Sequence, residues 1–93
     1  MKSTHSKDYR RIVAALVSAR KAMGVRQAEV ALALGKPQSF VSKIEGRERR
    51  LDIVEFVAIC RIIGVNPLAV LIKGGLLGDE DLCGGGETSG PEG

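Results

Sequence analysis

Gln38, Ser39, Ser42 and Lys43 follow one another closely enough to share one side of a short helix. All four side chains donate hydrogen bonds, and all but the lysine also accept them. A primary amide such as that of Gln38 can pair at two points with N6 and N7 of adenine, and a serine hydroxyl can meet a donor or an acceptor on a base edge. Just beyond them Arg47, Arg49 and Arg50 crowd a few positions, with Glu48 balancing only part of the charge. A solvated turn needs no such cluster, whereas a phosphate backbone is its natural counterpart. The chemistry these residues could carry is recognition of duplex nucleic acid. Gln38, Ser39 and Ser42 are the expected base readers, and Lys43, Arg47, Arg49 and Arg50 the expected phosphate contacts. Arg26 and Gln27 join the phosphate set, because they open an earlier helix whose N-terminal NH groups favour an anion.

Catalysis finds no comparable foundation. The only histidine, His5, lies near the start of the chain and cannot be assembled with a serine or cysteine into a nucleophilic constellation. Cys60 and Cys83 are far apart and form no CxxC pair, so neither a metal site nor a disulfide scaffold is expected, and no cofactor is implied. Cys60 reads as a small buried hydrophobe. The glycines near the C-terminus follow no strand and open no helix, so they make no phosphate loop. No signal peptide or membrane-length apolar run is visible, and a soluble cytoplasmic protein is expected.

Charge divides the 93 residues in two. All 14 Lys and Arg lie in residues 1–73 with only six acids, whereas residues 74–93 hold five acids and no base. The last segment also contains eight of the 12 glycines. With few large side chains besides Leu76, Leu77 and Leu82, it is read as a disordered acidic tail. Residues 1–6 are read as a flexible arm and 7–73 as one all-α domain.

The elements that must position the polar cluster follow from apolar spacing and glycine punctuation. Gly24, Gly35, Gly46 and Gly64 each follow an apolar-periodic segment, as a glycine at a helix C-terminus does, which divides the body into five helices. The first, about 7–23, buries Tyr9, Ile12, Val13, Leu16 and Val17, with Ser6 as its cap and Arg10, Arg11, Arg20 and Lys21 on its surface. The second, from Gln27 to Leu34, buries Ala28, Val30, Ala31 and Leu34, and Ala31 marks a close helix crossing where only a methyl fits. Gly35 turns the chain, Pro37 restarts it, and the third helix to about Glu45 buries Val41 and Ile44. Asp52 and Glu55 form a capping box for the fourth, with Leu51 and Phe56 as a hydrophobic staple. Its core stripe is Ile53, Phe56, Val57, Cys60 and Ile63. Asn66 and Pro67 open the fifth, which offers Leu68, Leu71 and Ile72 for packing. Phe40 is expected to pack near the start of the fourth helix, the alternative being a ring edge offered to thymine methyl groups.

Taken together, Gln27, Ala31, Gly35, the Gln38-Ser39 pair and the closing V-S-K-I-E-G resemble the Cro and phage-repressor type of helix-turn-helix domain, the Xre family. The resemblance covers roughly residues 9–72. It departs from the family where Arg26 and Pro37 replace the usual Ser or Thr helix caps. The resemblance implies a compact five-helix repressor-like domain whose helices 2 and 3 form the helix-turn-helix, with the third helix in the major groove. It also implies that Gln27 steadies Gln38, and that the protein regulates transcription, with repression the commoner outcome. The alternative within this fold is a protein-interaction module, such as the antitoxin of a toxin-antitoxin pair. One short helix reads too few base pairs to find a site in a genome, so a homodimer on a palindromic operator is expected. Val70, Leu71, Leu76 and Leu77 are the candidate interface, with the N-terminal arm as the alternative.

Overall fold

The computed structural model describes residues 6–78. Five helices follow in order: α1 Lys7–Ala22, α2 Gln27–Leu34, α3 Gln38–Glu45, α4 Ile53–Ile63 and α5 Pro67–Lys73. No strand occurs among the described residues, as the all-α reading requires.

The helix starts are set by local chemistry. Ser6 Oγ accepts from Tyr9 N–H at 3.1 Å and caps α1. Asp52 and Glu55 close the capping box of α4 through bonds of 2.7 and 3.1 Å. Asn66 Oδ1 accepts from Leu68 N–H at 2.8 Å, with Pro67 in the first turn of α5. Neither Arg26 nor Pro37 contributes a side-chain cap bond. At α2 the deficit is partly met from inside the helix, because Glu29 accepts from Arg26 N–H at 2.8 Å. Pro37 is extended and precedes α3, which begins at Gln38.

Gly35 ends α2 in the left-handed conformation at φ 71°, so that its N–H and that of Lys36 turn back onto the last carbonyls of the helix. Gly24 and Gly64 are also left-handed, but Gly46 is not. The left-handed residue at the end of α3 is Arg47, at φ 61°. This is a conformation in which a Cβ costs roughly 1 kcal/mol or more.

The core is built from one face of every helix: Leu16 of α1, Val30 and Ala31 of α2, Val41 and Ile44 of α3, Phe56, Ile59, Cys60 and Ile63 of α4, and Val70 of α5. The most extensive pairing is between α2 and α3, and α1 runs behind α3, α4 and α5. Ala31 is buried at the α2–α3 pairing, as its size suggested.

Several faces differ from the sequence reading. Ala28 is exposed, because α2 turns only Val30 and Ala31 fully inward. Ile53 and Val54 are 69% and 74% exposed. They form the first turn of α4, whereas Ile59, absent from the expected stripe, is buried. Arg20 is buried rather than on the surface, for a reason given below. Val70 lies in the chain's own core and is not available to a second copy, whereas Leu71 and Leu77 are half-buried and Leu76 is exposed.

The folded chain also runs past the expected boundary at Lys73. Gly74 packs so closely on α1 that a Cβ there would stand 3.3 Å from the Arg11 carbonyl oxygen. Leu76 N–H then returns to the Leu71 carbonyl at 3.0 Å. The arm at 1–5 and the acidic stretch from 79 onward lie outside the described residues.

Candidate nucleic-acid interface

The end of α3 is tied to α1 by a buried ion pair. Arg20 donates to Glu45 through Nε at 2.6 Å and Nη2 at 2.9 Å, and its Nη1 donates to the Val25 carbonyl at 2.9 Å. The two side chains are 10% and 11% exposed, so the pair is shielded from water and the fork geometry leaves little freedom. Glu45 Oε1 also accepts from Gln27 Nε2 at 2.8 Å. Gln27 Oε1 in turn accepts from Gln38 Nε2 at 3.4 Å.

The direction of this chain follows from its anchor. An ionised carboxylate only accepts, so the NH2 of Gln27 must face Glu45 and its oxygen must face away. That oxygen draws the NH2 of Gln38 inward and sets the orientation of the Gln38 amide. Gln38 is exposed at the first turn of α3, with its own oxygen and a second N–H still to offer. These are the acceptor and donor that a bidentate contact with adenine uses.

Ser39, Ser42 and Lys43 are also exposed on α3, while Val41 and Ile44 hold its opposite side in the core. A helix of eight residues is about 12 Å long, which matches the width of the major groove. Arg26 is exposed at the start of α2 and makes only a loose 3.6 Å ion pair with Glu29. This places it beside Gln27 at a helix N-terminus.

The arginine loop is held from two sides. Glu48 and Arg49 N–H both return to the Lys43 carbonyl, at 2.8 and 3.1 Å. The Tyr9 hydroxyl of α1 accepts from Leu51 N–H at 2.9 Å and donates to the Arg49 carbonyl at 3.5 Å. Within the loop the three arginines are not equivalent. Arg49 forms a bidentate pair with Glu55 at 2.9 and 3.0 Å and donates to the Arg50 carbonyl at 2.8 Å. Its guanidinium also lies 4.3 Å from the centre of the Phe40 ring, with Lys36 Nζ 5.4 Å from the same ring. The hydrogen bonds from Arg49 hold the Glu55 carboxyl below its ordinary range. Arg47 and Arg50 are exposed.

Phe40 is half-buried and packs against the core. What the sequence reading did not anticipate is the Arg20–Glu45 anchor, the Tyr9 clamp and the Arg49–Phe40 stack. A signal for the first was present: Arg20 continues the stripe of Val13 and Leu16, so it falls on the buried side of α1. Among the described residues no cluster of His, Cys, Asp or Glu suits a metal ion. No single described helix is long and apolar enough to cross a membrane.

Comparison with known proteins agrees with this geometry. Residues 16–70 match the family model described as helix-turn-helix. An XRE-family like protein from Pseudomonas syringae pv. tomato str. DC3000 has a similar structure, with a TM-score of 0.68 and 50% sequence identity over 73% of this chain and 83% of that one. No curated protein matches the chain. A family model matched over more than half of the sequence, and a solved relative sharing half of its aligned residues, make this chain a member of the Xre family of DNA-binding helix-turn-helix proteins.

Proposed function

We propose that this protein is a sequence-specific transcriptional repressor that binds a palindromic operator as a homodimer in the cytoplasm. The observation that carries the reading is the polarised chain from Arg20 to Gln38, which spends a buried ion pair on orienting one exposed amide. An amide needs no such control to be a surface residue. It does need it to distinguish adenine from the other bases, since a flipped amide exchanges donor for acceptor.

In this reading α3 enters the major groove, Gln38, Ser39 and Ser42 meet base edges, and Lys43 lies towards phosphate. Arg26, Gln27, Arg47 and Arg50 approach the sugar-phosphate backbone from either side. Arg49, already paired with Glu55, supports the loop and adds positive potential there. Two copies address half-sites one helical turn apart, which occludes enough of an operator to block transcription.

Selection of bound sequences from a random duplex library tests the proposal. A palindromic motif, bound with a steep negative salt dependence and lost on Gln38→Ala, is the expected result. Recovery of no motif, with only weak salt-sensitive binding, would overturn it in favour of a protein-interaction module such as an antitoxin.

A further inference from the structure

α4 is apolar on two sides. Its only charged residues are Glu55 and Arg61, and its core face is made of Phe56, Ile59, Cys60 and Ile63. At 3.6 residues per turn, Ile53, Val54, Val57, Ala58 and Arg61 fall within an arc of about 140° on the far side of the helix. These five residues line an open groove of about 300 Å³. Ile53 and Val54 are largely exposed there, and Val57 and Ala58 are half-buried. A helix that is apolar all round is ordinarily covered all round, and a contiguous apolar face left in water marks a contact surface. Its place matters for the DNA reading. Ile53 follows Arg50 by three residues, which limits the separation of their Cα atoms to about 11 Å. The groove therefore starts at the edge of the surface that the arginine loop would lay on the duplex.

We infer that this face of α4 pairs with the same face of a second copy bound at the neighbouring half-site. The inference rests on the proposed operator binding and names the surface through which two copies meet. The face is its own complement under a two-fold axis. Ile53 and Arg61 are eight residues apart, about 12 Å along the helix, so two antiparallel α4 helices crossing at Val57 bring the Arg61 of each to the first turn of the other. Asp52 stands at that end. Its Oδ1 caps α4 through the Glu55 N–H, which leaves the second carboxylate oxygen to accept from a guanidinium. Arg61 is exposed and makes no ion pair among the described residues. The cations beside Asp52 are engaged elsewhere: Arg49 is held by Glu55, and Arg50 is directed at phosphate in the proposed reading. Five side chains fall well short of the roughly 800 Å² per partner that a stable interface buries. Free copies therefore stay apart at ordinary concentrations, and a duplex that holds two of them supplies the effective concentration the pairing needs.

Two measurements test this on the full chain. In the free protein, amide chemical shifts of residues 52–61 should move as the concentration approaches the millimolar range. They should stay fixed in the double variant Ile53→Gln, Val54→Gln, whose replaced side chains are exposed and whose melting temperature should match the parent's. Shifts centred on another face, or none, would overturn the self-pairing and leave the groove to a different protein. On a duplex with two half-sites, the second copy should bind roughly ten- to hundredfold more tightly than a copy on an isolated half-site. The double variant should lose that factor while keeping its affinity for the isolated half-site. The same factor in parent and variant would overturn the role of α4 on the operator. If neither form binds any duplex, the DNA reading itself fails, and the concentration-dependent shifts still decide whether α4 pairs with itself.

Discussion

Gln38 and Glu45 carry different kinds of information although both belong to α3. Gln38 is exposed and its bonds to a base would be formed only in the complex. Gln38→Ala should therefore leave the melting temperature nearly unchanged while costing about 1–3 kcal/mol of discrimination at one base pair. Competition binding with single-base operator variants measures this. Glu45→Gln should do the reverse first: it leaves the Arg20 guanidinium buried without its counter-charge, a change that costs about 3–5 kcal/mol. That is comparable with the whole stability of a domain of this size. Thermal unfolding should show the loss directly, and at temperatures where the variant remains folded the Gln27 amide is no longer held in one orientation. The variant should then bind with reduced preference for the operator over random duplex. The sequence revealed the exposed polar row of α3 because it is contiguous. It concealed the anchor because Arg20 and Glu45 meet only when α1 and α3 are packed, and a buried arginine looks like any surface arginine until its partner is known.

At the scale of the elements, the turn and the caps were largely legible, since they depend on near neighbours in the chain. Ser6, the Asp52–Glu55 box, Asn66-Pro67 and Gly35 all act where the local pattern put them. Gly35→Ala should destabilise the domain by about 1–2 kcal/mol, although a Cβ there meets nothing within 4 Å. The cost is in the left-handed backbone alone. Chemical denaturation measures it. The face of α4 was less legible, because Ile53 and Ile59 are equally apolar and only the packed neighbours decide which one is covered. The same helix should give the domain an acid limit. Glu55 is held ionised in the folded chain by Arg49, so its folded pKa lies below the ordinary carboxylate value. The stability this provides is complete above that ordinary value, near pH 4.5, and is lost as the pH falls through it towards the folded pKa. Melting temperatures should drop on acidification below about pH 4.5. Glu55→Gln should be less stable at neutral pH and respond less to acid.

For the molecule as a whole, composition announced a basic body and an acidic end, but not that residues 74–78 would fold back along α1. That return depends on a glycine that accepts close approach to α1, which periodicity does not detect. It also bears on assembly. With Val70 inside the core, a second copy has only Leu71, Leu76 and Leu77 of the residues expected at the interface, and these form a small surface. The protein should therefore sediment as a monomer at micromolar concentration and as two copies per duplex on a palindromic site. A single copy on that site would rule out the two-fold arrangement.

On the proposed reading of α3, its division into a tethered and an untethered part also shapes how its preferences would change over descent. Ser39 and Ser42 face outward and take no part in the Arg20–Glu45–Gln27 chain, so new residues can be tried there without endangering the fold. Gln38 is different: its amide is the last link of that chain, and a replacement must either keep the link or abandon the orientation it supplies. Divergent copies of this domain can then be expected to acquire new operators first through Ser39 and Ser42, with Gln38 changing late and in company with Gln27.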